Sequence, residues 1–247
     1  NDIITGGKGD DFMAGLMGDD TYIHNQGDGV DTIDDGGWGG NDTLKLTGAA
    51  LTSTNVTLTR SADLSSITLG FTGVTDKITL KNEFSSPSPI LNIIFSNGIT
   101  WRVADLQANY LAKAYTTGND TIYGFGTFQL GVDDVITGGK GDDYMNGFYG
   151  NDTYTHNQGD GVDTIDEGGG FGNDTLKLTG SALTSTNFVL TATGTNLVDA
   201  TLTFGGVTDK INITNQLHSS LGYGVENFIF SDGVTLNRSD LMFGLAT

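Results

Sequence analysis

The chain has 247 residues, with 30 acidic against 11 basic side chains, a net charge of −19 and a pI near 4.1. This charge argues against nucleic acid as a partner. At 36% hydrophobic residues, with 38 glycines and two prolines, the composition also differs from that of a solvated acidic tail. There is no cysteine, so a disulfide framework, a thiolate metal site and a cysteine nucleophile are all excluded. No apolar run approaches the roughly 20 residues of a membrane-spanning helix, and Asn1 opens no signal-peptide pattern. The chain begins inside a repeat and without methionine, as expected of part of a longer polypeptide.

In chain order, the first segment is glycine-rich and acidic. Residues 2 to 42 hold ten acids and only one basic residue, Lys8; residues 120 to 174 hold eleven acids and only Lys140. Two unit charges about 4 Å apart repel by about 4 kcal/mol at an effective dielectric near 20. Packing these carboxylates together therefore calls for a cation between them, and a hard divalent ion suits oxygen ligands.

The two stretches are copies of each other. GGKGDDFMAGLMGDDTYIHNQGDGVDTIDDGG returns as GGKGDDYMNGFYGNDTYTHNQGDGVDTIDEGG at an offset of 132 residues, and NDTLKLTG follows at the same offset. The match persists through GVTDKI to FSNGITW against FSDGVTL. This predicts two tandem units, residues 1–114 and 115–247.

Inside each unit an aspartate recurs with a large apolar residue two positions on. In the first unit these are Asp2, Asp11, Asp20, Asp31 and Asp42, followed by Ile4, Met13, Tyr22, Ile33 and Leu44. In the second they are Asp134, Asp143, Asp152, Asp163 and Asp174, followed by Ile136, Met145, Tyr154, Ile165 and Leu176, with Asp120 and Ile122 further upstream. The spacing is nine, nine, eleven and eleven in both. Glycines permit the positive φ of a tight turn, and the residues after the aspartate form a short strand with one side chain inward. The eleven-residue spacings insert two residues, and sites at Asp31, Asp42, Asp163, Asp174 and the distant Asp120 are less regular. His24 and His156 fall in those inserts and are expected to be polar loop residues; His218 is expected alone on a surface loop.

GGKGDDFMA and GGKGDDYMN resemble the haemolysin-type calcium-binding repeat G-G-x-G-x-D-x-U-x of the RTX (repeats-in-toxin) family. The resemblance implies an all-β fold: a parallel β-roll with calcium between its turns, extended by further strands and a short capping helix in each unit. It implies several Ca2+ ions as the cofactor. The implied metal-binding positions are Asp2, Gly6, Lys8, Asp11, Gly15, Asp20, Asp31 and Asp42, then Asp120, Asp134, Gly138, Lys140, Asp143, Gly147, Asp152, Asp163 and Asp174. Asp2 would face Asp20, Asp20 face Asp42 and Asp11 face Asp31, with the equivalent pairs in the second unit. The thin inward stripe leaves the metal to supply the remaining stability.

Further along, LKL, VTLT, SSITLGF and DKITL alternate as strands and are expected to continue the same sheet. The helix candidate RVADLQANYLAKA places Val103, Leu106, Tyr110 and Ala114 on one face, and Ser239 is the expected N-cap of a second. Trp38 and Trp101 read as turn and core packing rather than sugar platforms. No HExxH or other catalytic motif occurs, so no enzyme activity is expected. The resemblance implies a secreted or cell-surface location, export by a type I secretion apparatus and, as partners, calcium ions and the rest of the parent polypeptide, with no membrane span. The function expected is a calcium-dependent folding module of a toxin, adhesin or exoenzyme. The alternative is a ligand- or polysaccharide-binding adhesion module.

Overall fold

Each nonapeptide supplies only a few residues of extended chain between glycine turns, so its hydrogen bonds go to the strand two repeats away. The computed structural model describes residues 1–36, 40–84, 90, 92–126, 131–168, 172–195, 198–218 and 223–245, so Trp38 and its counterpart Phe171 lie outside the described residues. Two units, Asn1–Tyr110 and Leu111–Thr247, each form their own set of contacts.

In the first unit the nonapeptides give β1 (Ile3–Thr5), β2 (Phe12–Met13), β3 (Thr21–Asn25), β4 (Val30–Ile33) and β5 (Thr43–Thr47). Odd and even strands separate into two sheets. Parallel pairing sets Ile3 opposite Thr21 and Thr21 opposite Thr43 in one, and Phe12 opposite Thr32 in the other. Met13, Tyr22, Ile33 and Leu44 are buried between them.

Next come β6 (Val56–Arg60), β7 (Ile67–Phe71), β8 (Lys77–Leu80), β9 (Asn92–Ile94) and β10 (Thr100–Trp101). The sheet orders are β1-β3-β5-β9-β10 and β2-β4-β8-β7-β6. Strands β8 and β9 extend the parallel stacks, whereas β7, β6 and β10 add antiparallel edges. The sheets are therefore mixed, and the four alternating segments are divided between them: LKL lies in the first, and the other three lie in the second. A connection of a few residues can only return antiparallel, which places β6, β7 and β8 as a meander.

These strands enlarge the core well beyond the nonapeptide stripe. Leu46, Ile67, Leu69, Ile78, Leu80, Ile93 and Phe95 are all at most 2% exposed. Helix α1 (Val103–Ala114) adds Leu106 to this cluster, with Tyr110 half-buried against it. Trp101 is buried, its ring meeting Phe95 edge-on at 4.7 Å. Its role is core packing.

The second unit repeats this plan with β11 (Thr121–Tyr123), β12 (Val135–Thr137), β13 (Tyr144–Asn146), β14 (Thr153–Asn157), β15 (Val162–Ile165) and β16 (Thr175–Thr179). After them run β17 (Phe188–Thr193), β18 (Asp199–Phe204), β19 (Lys210–Ile213), β20 (Asn227–Ile229), β21 (Thr235–Asn237) and α2 (Arg238–Leu245). Its sheets are ordered β12-β14-β16-β20-β21 and β11-β13-β15-β19-β18-β17. The N-cap of α2 is Asn237 rather than Ser239. Asn237 Oδ1 accepts from the Asp240 N–H at 3.0 Å, and Asp240 Oδ2 accepts from the Asn237 N–H at 2.9 Å, a reciprocal box that starts the helix two residues earlier.

The stack depends on glycine for a reason beyond φ. Gly29 has φ +118°, and a Cβ there would lie 2.2 Å from the Gly9 carbonyl oxygen of the turn beneath. Gly27 has φ +91° but open space around it. Gly27→Ala should cost about 1–2 kcal/mol of backbone strain. Gly29→Ala should cost a further 1–3 kcal/mol, about the usual overpacking range. Urea unfolding of the two variants measures the difference, and equal losses would contradict the close stacking of turns.

Candidate metal centre

The aspartate that ends each turn does two things with its carboxylate. One oxygen accepts a hydrogen bond from the backbone N–H of the aspartate in the turn before. Asp20 Oδ1 takes the Asp2 N–H at 2.5 Å, Asp42 Oδ1 the Asp20 N–H at 2.8 Å, and Asp31 Oδ1 the Asp11 N–H at 3.1 Å. In the second unit Asp152, Asp174 and Asp163 hold the N–H groups of Asp134, Asp152 and Asp143 at 2.8, 2.8 and 3.1 Å. The structure thus brings together all six aspartate pairs expected to face one another. The elongated turns keep the stack, with partners 20 and 22 residues apart in place of 18. Asp120 joins the Asp143 edge, its N–H reaching Asp143 Oδ1 at 2.8 Å.

The other oxygen is where the chemistry lies. Oδ2 of Asp11, Asp20, Asp42, Asp143 and Asp152 is buried and lacks a hydrogen-bond partner. Isolated buried carboxylate charge is costly, and burial first, then neighbouring acids, pushes the carboxyls of Asp42, Asp143, Asp152 and Asp174 upward. Asp42, Asp143 and Asp152 rise to about 6 and Asp174 to about 7. Several buried oxygens of this kind, distributed along the two edges of each stack, fit a hard cation with six to eight oxygen ligands.

The glycines make room for these carboxylates. A Cβ at Gly6 would lie 2.7 Å from Asp11 Oδ2, and one at Gly138 would lie 2.5 Å from Asp143 Oδ2. At Gly15 and Gly147 it would lie 2.3 and 2.1 Å from Oδ2 of Asp20 and Asp152. Lys8 and Lys140 are exposed and can offer this site only their main-chain carbonyls. Asp2 is exposed, whereas Asp134 is buried and accepts the Phe125 N–H at 2.5 Å.

Two expectations are corrected. His24 and His156 are not polar loop residues: the two-residue insert lengthens β3 and β14, and strand alternation turns both histidines inward to 0% exposure. His24 Nδ1 lies 2.7 Å from Asp31 Oδ2, and Nε2 lies 3.2 Å from Asp76 Oδ1. His156 makes the same clamp with Asp163 and Asp209 at 2.6 and 3.3 Å. Burial works against the His156 imidazolium, but the hydrogen bond and charge of Asp163, with Asp160 and Asp209, hold its pKa above the ordinary value. The second oxygens of Asp31 and Asp163 thus face an imidazole. His218 is half-buried, its ring 4.7 Å from that of Tyr223.

Sequence reading missed Asp35 and Glu167. Their carboxylates join Asp20 and Asp42, and Asp152 and Asp174, in two buried clusters. The signal was an acidic pair, DD or DE, after each DTI. It lies outside the nonapeptide pattern, whose aspartates are the ones two positions before a large apolar residue.

The RTX calcium-binding nonapeptide repeat family matches residues 1–22 and 131–163. The haemolysin-type calcium binding protein related domain matches residues 67–105 and 199–240, covering the second and third strands of the meander, the last strands and the start of the helix in each unit. No curated protein matches the chain. Among the described residues no helix is long and apolar enough to cross a membrane. The regular nonapeptides of each stack and most of the strands that close it match haemolysin-type calcium-binding families, and the chain is an RTX calcium-binding repeat region.

Proposed function

We propose that this region is a structural module that orders on binding calcium and forms part of a larger secreted protein, whether toxin, adhesin or exoenzyme. The observation that carries the reading is the set of buried, unpartnered carboxylate oxygens on Asp11, Asp20, Asp42, Asp143 and Asp152. Calcium would lie between stacked turns, held by these oxygens and by main-chain carbonyls of turns such as those containing Gly6, Lys8, Gly138 and Lys140. Bound there, it would supply the positive charge the stack lacks, with no catalytic step. Extracellular calcium modules bind at about 10⁻⁴ to 10⁻³ M, a range that separates a calcium-poor cell interior from its surroundings. Export through a type I apparatus while unfolded would suit such a switch.

Circular dichroism in chelator and in millimolar calcium tests the coupling, with β structure expected to rise cooperatively as calcium is added. Replacing Asp11 and Asp143 with Ala should raise the calcium midpoint severalfold. The same β content in chelator and in calcium would sink the reading.

Proton linkage gives a second test. The carboxyls of Asp42, Asp143 and Asp152 at about 6 and Asp174 at about 7 lie above the ordinary value of about 4. Their contribution to metal-free stability is therefore present below about pH 4 and lost as pH rises through the 6 to 7 window. The metal-free chain should be more ordered near pH 4.5 than near pH 8. Calcium binding should tighten over the same window and release protons, as calorimetry in buffers of different ionisation heat would measure. A calcium midpoint constant across that window would contradict the linkage.

A further inference from the structure

The clusters at the elongated turns differ from the rest of the stack. In the first unit one carboxylate oxygen from each of Asp20, Asp35 and Asp42 lies within 4.8 Å of the others, and the three residues are 1, 6 and 0% exposed. Each carboxylate has one oxygen committed: Asp20 to the Asp2 N–H, Asp42 to the Asp20 N–H and Asp35 to the Tyr22 hydroxyl. On all three the second oxygen is buried without a partner. Three carboxylates that each hold one donor thus keep a buried oxygen without one.

The second unit builds the same arrangement from a different acid. Asp152, Glu167 and Asp174 meet within the same 4.8 Å and are 0, 1 and 2% exposed. Glu167 accepts from the Tyr154 hydroxyl, and its other oxygen, like that of Asp152, is buried and unpartnered. The copies thus differ by a methylene, yet both place an acid there.

A tyrosine positions that acid. Tyr22 and Tyr154 occupy the inward position of the repeat, and their hydroxyls accept from the Gly15 and Gly147 N–H groups at 2.6 and 2.7 Å while donating to Asp35 and Glu167. A Cβ at Gly15 would lie 2.8 Å from the Tyr22 hydroxyl and one at Gly147 2.7 Å from that of Tyr154. An aliphatic side chain would leave the acid without this anchor.

Three carboxylate oxygens that all lie within 4.8 Å of one another are close enough to share one ion, and buried oxygen ligands suit a hard cation such as calcium, whose ligands lie at about 2.3–2.6 Å. We propose that each unit contains one enclosed site for a calcium-sized cation, in which Asp35 or Glu167 from the elongated turn is a third carboxylate ligand. These two sites bind more tightly than those between regular turns and fill first. The inference rests on the calcium-binding reading above and adds to it a ligand that the repeat pattern does not contain.

Calorimetric titration of the full chain with calcium, and tyrosine-sensitised luminescence of terbium, a calcium-sized ion, test it. Two ions per chain should bind ahead of the rest. Asp35→Asn combined with Glu167→Gln should weaken those two by about tenfold to a hundredfold, the range expected from ligand charge and supporting shell, and abolish the early luminescence. Should that variant not fold, Tyr22→Phe with Tyr154→Phe keeps every carboxylate and should weaken the same two ions by a smaller factor. First-bound ions of unchanged affinity in whichever variant folds would overturn the proposal. Circular dichroism during the titration separates the two readings. Calcium-driven folding with unaltered early ions defeats only the third ligand, and early ions that bind without any gain in β structure defeat only the folding module.

Discussion

Each turn of the stack is tied to the next by an aspartate carboxylate that accepts the N–H of the aspartate beneath it. That bond fixes the height of the turn, and because one oxygen is used, the other is carried into the buried space between turns. Register and charge burial are therefore one interaction. The parallel pairing that sets Ile3 against Thr21 and Thr21 against Thr43 cannot form without also bringing Asp2, Asp20 and Asp42 into one column. Oxygens that solvent cannot reach and donors do not meet leave negative charge in the stack that is costly to bury unless it is neutralised.

The two halves of each unit divide the energetics. In the nonapeptide half β2, β3 and β4 each bury a single apolar side chain, Met13, Tyr22 and Ile33, and ordering a glycine-rich backbone is entropically expensive. The half formed by β6 to β10 has an ordinary apolar core, with Ile67, Leu69, Ile78 and Leu80 fully buried. It is anchored to the stack by parallel pairing of β8 on β4 and β9 on β5. The apolar half offers a template on which the first turn can dock, while the stack provides the sheet edge that the meander needs. Stability of either half is tied to the other through these ladders.

Sequence gave access to what has a period. The recurrence of aspartate and apolar residue revealed the duplication, the stack and its register, because strand spacing and glycine chemistry are local rules. The two-residue inserts were harder, since an insertion can loop out or lengthen a strand. Burial of His24 between Asp31 and Asp76 decides for the longer strand, and Asp76 is 52 residues away from that histidine. Asp35 and Glu167 were obscured for a similar reason: an acid beside glycines reads as surface unless one knows that Tyr22 or Tyr154 reaches it across the roll. Partition of the strands into two mixed sheets depends on which edges the core leaves open, which no local pattern encodes.

Comparison of the copies also shows an acid and an amide serving at the same place beside the enclosed clusters. Gln216, at the place of Glu83 in the duplicate, accepts the Val225 N–H and donates to the Val225 carbonyl, both at 2.7 Å. Glu83 accepts the Ile90 N–H at 3.1 Å, and its other oxygen is buried and unpartnered. Burial, with Asp42 and Asp35 adding their charge, pushes its carboxyl up to about 8. Glutamic acid in one unit and glutamine in the other thus fill one position with side chains of similar shape, each accepting a backbone N–H, that of Ile90 or of Val225.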